Sequence, residues 1–128
     1  MSVLARTKTF LPPAAARMAF DRIRMIDTGD ISAGGYVDFS QAEEVDLTLK
    51  RVFVVEASGA SVNNVVMTIY VGDQPLVRPN VSAAVFDPSN PLNPELNIPV
   101  PKGTKVNGRV TNNESASRRL YIHLVYEK

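Results

Sequence analysis

The chain has no cysteine and a single histidine, His123. The first absence excludes disulfides, thiolate metal sites and a cysteine nucleophile. The second leaves a zinc site without enough nitrogen or sulfur ligands. His123 falls in the middle of an alternating run, opposite in phase to Leu120, Ile122 and Leu124, so it reads as a structural side chain and not a catalytic one. Apolar runs are short, and none approaches the roughly 20 residues that span a bilayer. The charged start Met1-Ser2-Val3-Leu4-Ala5-Arg6-Thr7-Lys8 lacks the continuous apolar stretch of a signal peptide. A product that is not secreted, or is released by lysis, is therefore expected. Net charge is only +1, so no global field points to nucleic acid or an acidic partner. Gly34-Gly35 precedes a strand instead of a helix, which rules out a phosphate loop. Internal repeats and low-complexity tracts are missing too.

What the chain does have is a train of short β-type runs separated by proline and glycine. At 128 residues it is long enough for one domain with its own core. Val45, Leu47 and Leu49 alternate with Asp46, Thr48 and Lys50, the period of a half-buried strand. That run continues into Val52-Phe53-Val54-Val55, apolar at every position and so expected to be buried between two layers. Phe20, Ile23 and Ile26 are spaced for a helix face, but the run Phe20–Ile26 is short and stops at Thr28-Gly29-Asp30, which favours a strand over a helix. Further strands are expected at Tyr36–Phe39, Val65–Val71, Val81–Phe86, Leu96–Ile98, Lys105–Thr111 and Arg119–Tyr126. Asp87 to Pro94 carries three prolines three residues apart and reads as an extended surface loop. Short strands with a turn every ten residues or so predict an all-β, two-sheet antiparallel β-sandwich. Leu47, Leu49, Phe53, Met67, Ile69, Val106, Val110, Leu120, Ile122 and Leu124 are the expected core.

Charge is unevenly placed. Residues 1–24 hold Arg6, Lys8, Arg17, Arg22 and Arg24 against Asp21, a local charge of +4, whereas residues 25–64 carry −5. A basic leader beside an acidic stretch suits contact with a neighbouring subunit or a polyanion. Residues 1–18 read as an extended N-terminal arm, because Leu11-Pro12-Pro13 removes two donors and bars helix or central strand there. Residues 19–128 form the sandwich domain.

Candidate sites are sparse. Glu43-Glu44 and Asp46 precede a strand and read as solvated, not as a glycosidase pair. Asp27, Asp30, Asp73 and Asp87 lack the spacing of a calcium loop. Tyr36, Tyr70, Tyr121 and Tyr126 would bind sugar rings only if they converged on one face; packing at the core edge is their commoner use. Asn80-Val81-Ser82 and Asn113-Glu114-Ser115 match the glycosylation acceptor pattern, which carries little weight without a secretion signal. Arg118-Arg119 reads as a pair of edge gatekeepers against strand-to-strand aggregation.

The order of these parts resembles a viral single jelly-roll: an arm, about eight strands, a late proline-rich loop, and a last strand ending at Lys128. The tract Asn97-Ile98-Pro99-Val100-Pro101-Lys102-Gly103-Thr104 is similar to the entry into a late strand in many phage and archaeal-virus structural proteins and in carbohydrate-binding modules. The resemblance, a pattern over about 110 residues, implies a capsid or decoration protein of a virion that acts by self-association, with no enzymatic activity, cofactor or small-molecule substrate. It puts Arg6, Lys8, Leu11, Pro12, Pro13, Arg17, Arg22 and Arg24 in contact with neighbouring subunits and other virion proteins. The arm is modestly basic, so any contact with nucleic acid or an internal membrane would be weak. A carbohydrate-binding or adhesin-like module and a strand-exchanging extracellular fibre subunit are the alternatives.

Overall fold

The computed structural model describes residues 22–76 and 80–128. The arm over residues 1–18, with Arg6, Lys8, Leu11, Pro12, Pro13 and Arg17, lies outside the described residues. The described residues form nine strands: β1 Arg22–Ile31, β2 Tyr36–Ala42, β3 Leu47–Glu56, β4 Val65–Val71, β5 Gln74–Pro75, β6 Val81–Ser82, β7 Ile98–Val100, β8 Lys105–Asn112 and β9 Arg118–Glu127. A 3₁₀ turn, Ala83–Phe86, replaces the second half of the strand expected from Val81. Every pairing is antiparallel.

One sheet runs β1-β9-β3-β7; the other runs β2-β8-β4-β5, with β6 also on β4. If the short β5 and β6 count as one stretch, the first strand pairs with the last, the second with the last but one, and so on inward. The chain is thus one long hairpin wound over itself into two packed sheets, the jelly-roll connectivity. Leu47, Leu49, Met67, Ile69, Val106, Val110, Leu120, Ile122 and Leu124 are all buried between the sheets.

Phe53 is the exception. Val125 faces Arg51 and Tyr126 faces Leu49, so Lys50 is an extra residue in β3. This bulge shifts the strand's phase: Leu47 and Leu49 face the core before it, Val52 and Val54 after it. Phe53 and Val55 are turned to the outer face, half-buried. A second bulge explains why β1 runs through Thr28-Gly29-Asp30 and does not stop there. Arg119 pairs Asp30 while Tyr121 pairs Asp27, and the extra residue is absorbed at Gly29, whose φ of 68° suits glycine. The Thr28 hydroxyl accepts from the Leu120 amide at 3.0 Å to close the gap.

The proline loop is turned, not extended. The Asn90 amide donates to the Asp87 carbonyl and the Asn93 amide to the Asn90 carbonyl, both at 3.0 Å. Pro88 and Pro91 therefore each sit second in a four-residue turn, headed by Asp87 and Asn90, whose side chains accept from the Ser89 and Leu92 amides. Asn93, buried, donates to the Val52 carbonyl at 3.2 Å and pins the loop against β3.

Candidate functional site

Three surfaces stand out. The first is the outer face of the β1-β9-β3 sheet. Tyr121, His123 and Val125 alternate with the core residues of β9 and meet Asp27, Met25 and Ile23 on one side and Val55, Phe53 and Arg51 on the other. His123 thus stands between Met25 and Phe53. The middle of this face is apolar at almost every position, although the solvated face of an antiparallel sheet normally reads polar. Ile23 and Met25 are 55% and 54% exposed; Phe53, Val55, Tyr121 and His123 are half-buried. Val125, flanked by Ile23 and Arg51, is only 2% exposed. At one end Arg119 forks onto Asp27, Nε to Oδ1 at 3.0 Å and Nη2 to Oδ2 at 2.5 Å. The Arg119 hydrogen bond, with the Gly29 amide, holds the Asp27 carboxyl down at about 2.

The second surface is a polar cleft of about 380 Å³ at one end of the sandwich, lined by Arg22, Arg24, Gln41, Glu43 and Glu44. Arg22 and Arg24 lie within β1, in register with Tyr126 and Leu124. Arg24 Nε donates to both Glu43 oxygens at 3.0 Å, and Gln41 adds a third donor. Glu43 is 5% exposed, which corrects its reading as a solvated acid: burial is tolerated because each oxygen is paired. Among the described residues, the buried Tyr126 hydroxyl and Arg22 Nε have no hydrogen-bond partner. Burial first, then the Glu43 charge, pushes Tyr126 up to about 12.

The third surface is a hollow of about 390 Å³ on the outer face of the β2-β8-β4 sheet, floored by Gly108. A Cβ on Gly108 would overlap the Thr68 carbonyl oxygen and stand 3.0 Å from its carbonyl carbon. The outward side chains on either side of this glycine lean apart. Arg109 lies 4.0 Å over the Tyr36 ring and grips Asp38, Nε to Oδ1 at 2.7 Å and Nη2 to Oδ2 at 3.2 Å. That bond lowers the Asp38 carboxyl. Asn107 donates the other way, to the Gly72 and Lys105 carbonyls at 3.3 Å.

The tyrosines do not converge as a set. Tyr36 and Tyr70 share the outer face of one sheet, Tyr121 lies on the other, and Tyr126 is in the core. Arg118-Arg119 is not at an edge, because β9 is flanked by β1 and β3; Arg118 Nε bonds the Ser61 carbonyl at 2.8 Å. Asp27 and Asp87 are engaged by Arg119 and Ser89, and among the described residues no group of three or more acidic or histidine side chains is gathered. The apolar outer face was the surface that sequence reasoning missed. Its signal was the run of apolar residues at both parities in β3 and β9. No protein-family model matches the chain, and no curated protein is significantly similar to it.

Proposed function

We propose that this protein is a non-enzymatic structural subunit of a virus particle, a capsid or decoration protein that works by self-association. The observation that carries this reading is the apolar outer face around His123. A sheet apolar on both sides needs a covering layer on each, and patches of this kind on soluble proteins mark interaction sites. The wound-hairpin connectivity supports the reading without selecting it, since lectin domains and cupins use it as well. In sequence, residues 1–18 precede β1, the strand that carries Ile23 and Met25. Eighteen extended residues reach nearly 60 Å, enough to cross to a neighbouring subunit. Its partners are further copies of this chain and other virion proteins, with weak contact between the arm and nucleic acid or an internal membrane.

Deleting residues 1–18 tests the arm's part in assembly. The truncated protein keeps the melting temperature of the full chain but loses particles in negative-stain images and large species in sedimentation velocity. Unfolding of the truncated chain, or its assembly as well as the full chain, contradicts the reading.

A further inference from the structure

From the hollow above Gly108 we infer a second, outward-facing binding site that takes a neutral sugar. It lies on the sheet opposite the apolar face and does not depend on self-association. The argument begins with charge. The two ionic groups at the rim, Asp38 and Arg109, satisfy each other through a two-bond fork. An anion would have to compete with Asp38 for the guanidinium, and a cation with Arg109 for the carboxylate. What the hollow offers is a neutral array: carboxylate oxygens with lone pairs left over, guanidinium N–H groups and the Asn107 carboxamide oxygen, while the Thr68 hydroxyl beside them is tied to Asn80.

The Tyr70 ring supplies the other half of the chemistry. It stands on β4 beside Asn107, in register with it, and bounds the hollow on that side. A pyranose presents hydroxyls around its rim and C–H groups on its faces, so it wants donor–acceptor pairs in a plane next to an aromatic surface. A volume of about 390 Å³ lies within the range of small-molecule pockets. The hollow is held in shape before any ligand arrives. Arg109 is held by Asp38 and Tyr36, Asn107 by two backbone carbonyls, and the Gly108 floor by its close approach to β4. Preorganisation of this kind lowers the entropic cost of binding.

The test uses the full chain on an array of immobilised neutral and acidic oligosaccharides, followed by calorimetric titration with each free sugar that is retained. We expect neutral glycans to be retained, with affinity falling at least tenfold in both Asp38→Asn and Tyr70→Ala, and unchanged in Leu92→Ser, whose side chain is exposed on the proline loop. Melting curves check that each variant is folded, and the near-isosteric Asp38→Asn serves as the readout should Tyr70→Ala fail to fold. Retention of no glycan overturns the site. So does binding confined to acidic glycans and abolished by salt, or binding that both variants leave unchanged.

Discussion

Gly108 and Thr68 approach so closely across the β8–β4 pair that a Cβ on Gly108 would lie only 1.9 Å from the carbonyl oxygen of Thr68. No side chain fits there unless the strands part. Gly108→Ala is therefore expected to destabilise the fold by about 1–3 kcal/mol, the cost of forcing an atom into packed space. Urea unfolding measures it, and a midpoint within error of the parent would show that the strands separate freely.

Ile122 and His123 are neighbours on β9 with opposite fates. Ile122 is fully buried between the sheets, so Ile122→Ala leaves a cavity and costs about 2–5 kcal/mol. His123 faces outward between Met25 and Phe53. His123→Ala should shift the unfolding free energy of the isolated subunit by about 0.5 kcal/mol or less. Equal losses in the two variants would mean that the outer face is part of the folding core.

Tyr126 carries a fully buried hydroxyl with no partner among the described residues. An unmade bond of this kind costs about 1–3 kcal/mol, so Tyr126→Phe should match or exceed the parent in stability. Tyr126 titrates at about 12 in the fold against 10.0 ordinarily. A raised value means stability that is complete below pH 10 and lost as pH rises toward 12. The phenylalanine variant should lack that part of the alkaline loss. A clear destabilisation at neutral pH would show that the hydroxyl is bonded.

Acid should loosen one end of the four-stranded sheet first. Asp27 is held at about 2 by Arg119. Glu56 is also held at about 2: burial alone would raise it, but bonds from Ser58, Ala60 and Arg119 outweigh that. Both values are depressed, so this stability is fully present above about pH 4.5 and is lost as pH falls toward 2. Asp27→Asn and Glu56→Gln should flatten the acid limb of a stability-versus-pH curve; an unchanged limb would place the titrating groups elsewhere.

The alternation of Leu47 with Leu49, of Val65 through Val71, and of Leu120 through Leu124 made the sandwich readable, because a period of two has one physical meaning. The bulge at Lys50 was not readable. No glycine or proline marks it, and it alone sends Phe53 outward. Gly29 was visible but read as a stop, since a glycine that ends a strand and one that bulges it look the same in sequence. Arg118-Arg119 was misplaced because strand order is a long-range property that no local run encodes. The outer apolar face was in plain view at Val52–Val55 and at Ile23 and Met25. Apolar residues at both parities say that both faces are covered, but not by what.

The central claim is that the face around His123 buries itself against another subunit. Met25→Asp tests it most directly. The side chain is 54% exposed on the strand that borders its sheet among the described residues, so the charge should change subunit stability by about 0.5 kcal/mol or less. In an interface, the same charge would be desolvated without a partner. Sedimentation equilibrium of the full chain and the variant, at matched concentrations and with matched melting curves, should show the parent associated and the variant at least tenfold weaker in association. A variant that associates as tightly as the parent, or a parent that is monomeric at every concentration, contradicts the account.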